Sequence, residues 1–436
     1  MAPRILRPFQ EFARLQASGG IVLLVCTVAA LVWANSAWGE SYQWLRQLPL
    51  TVGIGEFVLS KPLLLWINEG LMAIFFFVVG LEIKREILVG ELASPTRAAL
   101  PIAGALGGVL VPAAIYTLLN FGTPGVRGWG VPMATDIAFV IGVMTVLGSR
   151  VPLGLRVFLT ALAIVDDLVA VLVIAIFYTD EISWVSLGCG AAILALLFAA
   201  NRAGFRHPFV YAILGTGLWL AFLKSGVHPT VAGVLLATTV PSSPRINPGE
   251  FLARSRNMLG EFEKAGSEGE PLIASEERQS AVRALEASCE AVETPLQRLE
   301  HGLHPWVTYL IMPVFALANA GVVLEGSLWQ ALENRVALGV ILGLVLGKPI
   351  GITLVSWLAV RSGLAELPAG VGWFRLHAAG WLGGIGFTMS LFIAGLAFGE
   401  SDLLASAKLG VLASSLLASA VGAALLACTK RVTPNE

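Results

Sequence analysis

Two adjacent carboxylates, Asp166 and Asp167, lie in the middle of the apolar stretch ALAIVDDLVAVLVI at residues 161 to 174. Each aspartate at the centre of a membrane helix costs about 2.5 to 3.5 kcal/mol, so the pair nearly cancels the roughly 4 to 8 kcal/mol contributed by the surrounding apolar side chains. Carboxylates inside a membrane normally face a water-filled cavity or an ion path. The pair therefore predicts reversible binding of cations or protons, with a buried structural network as the alternative.

A third carboxylate follows an interruption in another apolar stretch. Asp136 comes directly after Thr135 in GWGVPMATDIAF, where glycine and proline weaken the helical pattern. Such a break frees backbone groups that lipid cannot satisfy, so it persists only inside protein or against water. Carboxylate, hydroxyl and carbonyl oxygens are the ligands that hard cations accept. We therefore expect Asp136 and Thr135 to share a cation site with the aspartate pair.

One basic residue, Lys348 in GLVLGKPIGI, lies deep within an apolar stretch. A buried ammonium needs a carboxylate, and we expect Asp166 or Asp167 to supply it; a lysine that snorkels to the interface is the alternative. Adjacent helical residues point about 100° apart, so the two aspartates cannot share one partner. Protons and a metal cation would compete for the same oxygens, and the groups would titrate together.

Four further polar residues lie near the ends of apolar stretches. In GLEIKREILVGEL, Glu82 and Glu86 are spaced i, i+4, which favours either a charge belt at the helix end or a cation funnel with a pH response. Glu69, near the other end of the same stretch, is either an exit-path acid or an interfacial residue. His228 in KSGVHPT is either a helix cap or a group that titrates near pH 6.5.

The elements that position these residues must be membrane helices. The chain has 436 residues, of which 56% are hydrophobic and 13% charged, whereas about a quarter of a soluble domain is charged. A spanning helix needs roughly 20 mostly apolar residues. This rule predicts twelve spans: 20 to 38, 62 to 83, 98 to 119, 128 to 147, 153 to 178, 183 to 200, 207 to 222, 226 to 240, 304 to 323, 335 to 356, 377 to 399 and 405 to 428.

The distribution of Lys and Arg predicts the orientation. With the N-terminus inside, fourteen lie in the short inner loops and tails, six lie in the outer loops, and seven lie in the long loop from 241 to 303. Basic residues favour the cytoplasmic side, so both termini and the long loop are expected there. The first span has no cleavage site and is expected to be retained. A net charge of −1 gives no sign of a nucleic-acid partner.

Two connections have patterns of their own. LPLTVGIGEFVL at 48 to 59 predicts a short outer β-hairpin, and its exposed edge would allow a homodimer. Residues 250 to 300 carry eleven acids against six bases. Their spacing predicts a cytoplasmic helix that caps or tethers, with a regulatory or partner-binding role as the alternative.

The interruptions also suggest internal symmetry. GWGVPMATDIAF lies in the fourth span, and AGWLGGIGFTMS, with three glycines, lies in the eleventh. Spans 3 to 5 and 10 to 12 would place these breaks at matching positions in oppositely oriented triplets, as in inverted-repeat transporters. The predicted fold is therefore an all-α polytopic membrane protein of about 12 transmembrane helices, forming one domain over residues 1 to 436.

Seven stretches occur in the order typical of one family. They are FFFVVGLEIKRE at 75 to 86, ATDIAF at 134 to 139, LAIVDDL at 162 to 168, LKSGVHPT at 223 to 230, HPWVTYLIMPVFALANAGV at 304 to 322, LGKPIGI at 346 to 352 and GGIGFTMSLFIA at 383 to 394. Over nearly its whole length the chain resembles the bacterial NhaA family of sodium/proton antiporters.

The resemblance implies roles for particular residues. Asp166, Asp167, Asp136 and Thr135 would form the ion and proton site, with Asp167 as the main ligand of the transported Na⁺. Asp166 would exchange partners between the cation and Lys348. Four residues would match positions tied to the pH response: Glu82, Glu86, His228 and Glu300.

The resemblance also implies an activity. Two protons would enter for each Na⁺ or Li⁺ expelled across the bacterial inner membrane, without a cofactor, in sodium and pH homeostasis. An exchanger selective for K⁺ or Ca²⁺ is the alternative within transport. The single asymmetric cluster favours a carrier over a channel. An enzyme is disfavoured because no intramembrane His or Cys has a catalytic partner in the sequence pattern.

Two features depart from the family pattern. The acidic segment at 250 to 298 is longer than is usual in the family, which leaves the pH response near Glu300 open. In GVHPT, Pro229 stands where the family commonly has alanine, which weakens the inference for His228.

Overall fold

A computed structural model of the chain describes residues 7 to 55, 57 to 179, 181 to 265, 275 to 323 and 334 to 430. Helices dominate these ranges. In chain order they are α1 (Arg7–Ala34), α2 (Gly39–Gln47), α3 (Leu63–Val89), α4 (Pro95–Asn120), α5 (Pro124–Met133), α6 (Ile137–Leu147), α7 (Leu153–Phe177), α8 (Trp184–Arg202), α9 (Pro208–Leu223), α10 (Thr230–Thr239), α11 (Pro248–Lys264), α12 (Glu276–Val292), α13 (Pro295–Trp306, continued by Val307–Ile311 and Met312–Asn319), α14 (Arg335–Arg361), α15 (Trp373–Gly383), α16 (Phe387–Phe398) and α17 (Leu403–Ala427).

The predicted membrane fold is confirmed. Within the described ranges, six continuous helices are long and apolar enough to cross a bilayer, and three bent helix pairs bring the total to nine. Two more predicted spans are the shorter apolar helices α9 and α10. The last, predicted at 304 to 323, corresponds to the C-terminal part of α13. Every predicted span therefore coincides with a helix.

The first span differs from the prediction at its end. The expected helix over 20 to 38 stops at Ala34, and the chain turns by 111° into α2. Helix α2 is polar overall and buries Tyr42, whose hydroxyl donates to the carbonyl of Leu317 at 2.8 Å. Because a polar helix cannot continue a membrane span, α2 instead packs against the bundle through Tyr42.

The hairpin is confirmed and is longer than predicted. Strand β1 (Pro49–Ile54) pairs antiparallel with β2 (Phe57–Pro62), with Pro49 opposite Pro62. Pairing continues past the predicted end at residue 59 as far as Pro62, and the hydroxyl of Ser60 lies 2.8 Å from that of Thr51. We call the face with these strands the hairpin face, and the opposite face, where the hydroxyl of Thr429 reaches the carbonyl of Arg150, the terminal face.

The third and tenth spans, α4 and α14, pack antiparallel through glycines. A Cβ at Gly107 would lie 2.0 Å from the carbonyl oxygen of Gly351, and a Cβ at Gly351 would lie 2.1 Å from that of Gly107. The next residue of α4, Gly108, faces Lys348, which lies about one turn before Gly351 on α14. The missing side chains let the two backbones touch, and this contact brings Lys348 into the centre of the bundle.

The two broken spans cross each other at their breaks. Helices α5 and α6 meet at 41°, and α15 and α16 meet at 47°. Between the breaks, the backbone N–H of Asp136 donates to the carbonyl of Ile385 at 2.7 Å. Each break thus satisfies backbone groups of the other, which is the condition for irregular backbone inside a membrane.

The long acidic connection contains helices α11 and α12 and the start of α13. Its helical pattern is interrupted at Thr294, because Pro295 cannot continue the preceding helix and instead occupies the first turn of α13. The hydroxyl of Thr294 caps that turn by accepting from the N–H of Gln297 at 3.2 Å. The backbone of Arg245 also donates to Ala291 at 2.8 Å, which ties α12 to the segment after α10.

Candidate ion-binding site

An ion pair between α7 and α14 lies at the centre of the bundle. The ammonium of Lys348 donates a hydrogen bond to Oδ2 of Asp166, and both side chains are fully buried. The hydroxyl of Thr135 lies 2.7 Å from the same carboxylate oxygen and 2.8 Å from the carbonyl oxygen of Gly383. Three helices and one break therefore converge on Asp166, while its Oδ1 is buried and accepts no hydrogen bond from the residues that the structure describes.

The neighbouring Asp167 has no such partner. Its Oδ1 is buried and accepts no hydrogen bond from any described residue. The side chain borders a cavity of about 40 Å³ that Glu82, Asp136, Thr135 and His304 also line. A buried water needs about 10 to 15 Å³ of such space, so the cavity has room for two or three waters or for one cation stripped of most of its hydration shell. Among the described residues, this carboxylate has no ion-pair partner and faces a cavity that several polar side chains reach.

Asp136 ties the two breaks together. Its Oδ1 accepts from the backbone N–H groups of Ala138 and Phe139 at 3.1 and 3.3 Å and so caps α6. Its Oδ2 accepts from the N–H of Thr388 at 3.1 Å and also from the Thr388 hydroxyl. A carboxylate at a helix N-terminus is favoured by the helix dipole. Asp136 therefore has a structural function here in addition to its place in the cavity wall.

Glu82 and Glu86 diverge despite their i, i+4 spacing. Glu82 lines the cavity with Asp167. Glu86 lies one turn nearer the terminal face, where it accepts from the N–H of Glu91 at 3.0 Å and lies 3.4 Å from the guanidinium of Arg85. The spacing alone did not separate these two environments, because the chain turns back at Gly90 and covers Glu86.

Glu300 joins this group from α13. Its Oε1 is 3.3 Å from Nε of Arg85, and its Oε2 is buried without a hydrogen-bond partner among the described residues. Burial raises the pKa of the Glu300 carboxyl, and the guanidinium of Arg85 opposes this by lowering it. Glu300 therefore lies at the terminal face, beyond the cavity, in contact with the helix that carries Glu82.

Glu69 and His228 lie away from the cavity. Glu69 pairs with Lys61 of strand β2 at 2.6 Å. Nδ1 of His228 is 2.7 Å from the hydroxyl of Thr230, at the start of α10, and its ring packs edge-on against Phe392 with centroids 5.3 Å apart. Neither residue borders the space beside Asp167, so their roles as exit-path acid and pH-response residue stay predictions.

Two residues of the site were missed by the sequence reasoning. Thr388 lies in the GFTMS segment directly after the glycine-rich break, and a hydroxyl at that position was the available signal. His304 lines the cavity from α13, but it follows Glu300 in a segment read only for its acidic residue. In the described ranges no group of three or more His, Cys, Asp or Glu is arranged to hold a metal ion.

Comparison with known proteins assigns the family. A family model described as Na⁺/H⁺ antiporter 1 matches residues 10–426. The Na⁺/H⁺ antiporter NhaA of Oleidesulfovibrio alaskensis is 52% identical over 423 residues, which cover 97% of this chain and 94% of that protein. The chain belongs to the NhaA family of Na⁺/H⁺ antiporters. Two further antiporters support this assignment. The NhaA protein of Koribacter versatilis is 52% identical over 97% of this chain and 91% of that protein. The NhaA protein of Rhodospirillum rubrum is 46% identical over 99% of this chain and 100% of that protein.

One solved structure of low sequence identity has a similar fold. The sodium proton antiporter MjNhaP1 from Methanocaldococcus jannaschii, solved at pH 8, aligns with a TM-score of 0.51 over 98% of this chain and 99% of that one. Its sequence identity is 13%, so this likeness concerns the fold alone. The resemblance to NhaA in the seven sequence motifs is thus confirmed, and the chain is a multi-pass membrane protein.

Proposed function

We propose that this NhaA-family chain is an electrogenic antiporter that exchanges Na⁺ or Li⁺ for protons at the Asp166 and Asp167 carboxylates. The observation that carries the proposal is that these two adjacent carboxylates lie in different environments. Asp166 is neutralised by Lys348, whereas Asp167 is unpaired and faces a cavity with room for water. The site thus contains one carboxylate in its paired state and one that is available for a ligand.

Charge balance accounts for the electrogenic step. In the proton-loaded state Lys348 is an ammonium paired with ionised Asp166 and Asp167 is protonated, so the cluster is neutral. Na⁺ binding to both carboxylates displaces the Asp167 proton and the Lys348 proton. Two protons then leave for one cation, and the loaded cluster carries one negative charge. Each cycle moves one net charge, worth about 2.3 kcal/mol per 100 mV of membrane potential.

The transported cation is a substrate, and the residues present supply suitable ligands for it. Asp166, Asp167 and Thr135 offer carboxylate and hydroxyl oxygens, and the breaks add carbonyl oxygens such as that of Gly383. These are the donors that hard cations prefer. Glu82 and Glu86 would attract the cation from the terminal face, and Glu300 would link this entrance to pH.

Alternating access would use the crossed breaks. The contacts that join α5 and α6 to α15 and α16 concentrate at Asp136 and Thr388, so the two broken spans can move as one unit beside α7. The excess of Lys and Arg supports a cytoplasmic position for the terminal face, with the protein in the bacterial inner membrane. Protons would enter from the hairpin face, and sodium would leave through it.

Proton flux in proteoliposomes tests this proposal. Na⁺ and Li⁺ are expected to drive proton movement that responds to an imposed potential and disappears in Asp167→Asn. The matched control is Asp402→Asn, the same change at an exposed carboxylate near the start of α17, which is expected to keep wild-type flux. Flux driven by K⁺ or Ca²⁺ alone would show that the transported cation is not Na⁺ or Li⁺. Full activity of Asp167→Asn would show that the proposed site is wrong.

A further inference from the structure

A chain of hydrogen bonds connects the eleventh span to the helix that carries Lys348. Nε1 of Trp381 donates to Nε2 of His377 at 3.3 Å. Nδ1 of His377 lies 3.0 Å from the hydroxyl of Thr353, and that hydroxyl donates to the carbonyl of Pro349 at 2.6 Å. The chain ends on the residue that directly follows Lys348.

These contacts determine the protonation state of His377. An indole N–H is only a donor, so Nε2 of His377 must accept and carries no proton. The Thr353 hydroxyl donates its single hydrogen to the carbonyl of Pro349, so it can only accept from the His377 ring. Nδ1 of His377 therefore carries the ring proton. His377 is therefore a neutral imidazole in the Nδ1–H tautomer, and each of its nitrogens has one defined partner.

Lys348 lies at an irregular part of α14, where the helical hydrogen bonding is weakened on both sides of it. A π turn at Gly343–Gly347 precedes it, and Pro349 follows it without a backbone N–H. The hydroxyl of Thr353 bonds back to the carbonyl four residues earlier, a contact that bends helices. Support comes from α15 instead: Gly380 packs against Pro349, where a Cβ would lie 3.0 Å from the Pro349 Cα. His377 and Trp381 flank that contact.

We infer that His377 is a positioning residue that holds Lys348 against Asp166 while it is neutral and releases this hold when it is protonated. An imidazolium donates from both nitrogens, so its Nε2–H would face the Trp381 N–H and that bond would be lost. The inference rests on the proposed function and adds a pH response at a point distant from Glu82, Glu86 and Glu300.

The charged groups on the described elements around α15 make no recorded hydrogen bond or ion pair with His377. Arg375, on α15 itself, donates to the carbonyls of Gly370 and Lys430. On α14, Arg361 lies over the ring of Trp357 and Lys348 pairs with Asp166. The guanidinium of Arg156, on α7, donates to the carbonyl of Gly148; α17 carries one charged residue, Lys408, near its opposite end. Among the described residues, the recorded hydrogen bonds of His377 are to neutral groups.

The transport test separates this effect from proton competition at the carboxylates. Competition raises the KM for Na⁺ at acid pH, whereas loss of positioning lowers Vmax at saturating Na⁺. Between about pH 8 and pH 6, wild-type Vmax is expected to fall about two- to tenfold, the effect of one hydrogen bond. In His377→Gln, whose neutral amide can accept from Trp381 and donate to Thr353, the fall in Vmax over this range is expected to be smaller by that factor.

Two further variants keep the test decisive. Trp381→Phe removes only the donor, so Vmax is expected to be low at every pH and to show the same smaller fall as His377→Gln. His207→Gln changes an exposed histidine at the start of α9 and is expected to retain the wild-type profile. If Vmax falls with acid in His377→Gln as it does in wild type, the inference is wrong.

A spectroscopic measurement addresses His377 without transport. The chain has five histidines, and ¹⁵N spectra of labelled protein in nanodiscs would identify His377 by its absence in His377→Gln. The Nδ1–H tautomer is expected at about pH 8, with imidazolium appearing over the same range, down to about pH 6, that the transport test covers. An Nε2–H tautomer, or no titration in this range, would overturn the inference. Absence of Na⁺- or Li⁺-driven flux in wild type would instead count against the proposed function alone.

Discussion

Thr388 donates both its backbone N–H and its hydroxyl to a single oxygen of Asp136, 252 residues earlier in the chain. The two residues belong to different broken spans, and the bond joins the breaks at their crossing. Because Asp136 also caps α6, its carboxylate fixes the relative position of all four half-helices. The site beside it depends on this connection.

Thr388→Val is therefore expected to lower stability and transport together. The change leaves a buried carboxylate short of one charge-assisted hydrogen bond, worth about 1.5 to 3 kcal/mol. Thermal unfolding in detergent and the Na⁺ KM measure the two effects. Thr388→Ser should restore both, and Thr216→Val, at an exposed threonine of α9, should change neither. A stable, fully active Thr388→Val would show that the bond between the breaks is dispensable.

Lys348→Gln is expected to destabilise the protein because it leaves Asp166 buried without its counter-charge. Removing one partner of a buried pair costs about 3 to 5 kcal/mol. Adding Asp166→Asn should recover most of the unfolding temperature but not electrogenic exchange. The control is Lys408→Gln, at a lysine that is also buried but has no recorded ion pair among the described residues. Equal losses in Lys348→Gln and Lys408→Gln would contradict the importance of the pair.

Stability should depend on pH through Glu300. Its folded pKa is raised, with burial as the main cause, so the fold favours the protonated form relative to the unfolded chain. That contribution is fully present below the usual glutamate pKa of about 4.3 and is lost as pH rises through the folded value. The unfolding temperature should therefore fall less in Glu300→Gln than in wild type when the pH is raised from about 5 to about 8. Glu290→Gln, at an exposed carboxylate, should decline as wild type does.

Two glycine substitutions should have opposite effects. In Gly351→Ala the new Cβ would lie 2.1 Å from the carbonyl oxygen of Gly107, so α4 and α14 must separate and the folded yield should collapse. In Gly188→Ala the new Cβ meets nothing within 4 Å on exposed α8, and alanine should add about 0.5 to 1 kcal/mol of helix stability. Size-exclusion profiles and thermal unfolding measure both. A well-folded Gly351→Ala would contradict the close packing of these helices.

Removal of the hairpin should dissociate a homodimer. Val52 and Val58 are more than half exposed on opposite strands, and an exposed strand edge favours pairing with a second copy. Replacement of residues 51 to 60 by a short glycine and serine loop is expected to yield monomers on native gels, with transport per protomer retained. A dimer that persists after this change would place the interface elsewhere.

The sequence alone determined the class of fold and the residues with chemical potential. Twelve apolar segments are visible because a bilayer demands local runs of hydrophobic side chains. Asp166, Asp167 and Lys348 stand out because a charge within such a run is costly. Glycine and proline marked the breaks for the same local reason. Motif order was sufficient to indicate the NhaA family.

Only the tertiary structure decided which of these residues meet. Periodicity could not choose between Asp166 and Asp167 as the partner of Lys348, because the pairing joins residues 182 positions apart and depends on how α7 and α14 are rotated. The same holds for Thr388 on Asp136 and for the separation of Glu82 from Glu86. Local pattern specifies what each helix must bury, whereas packing across the bundle specifies against which group it is buried.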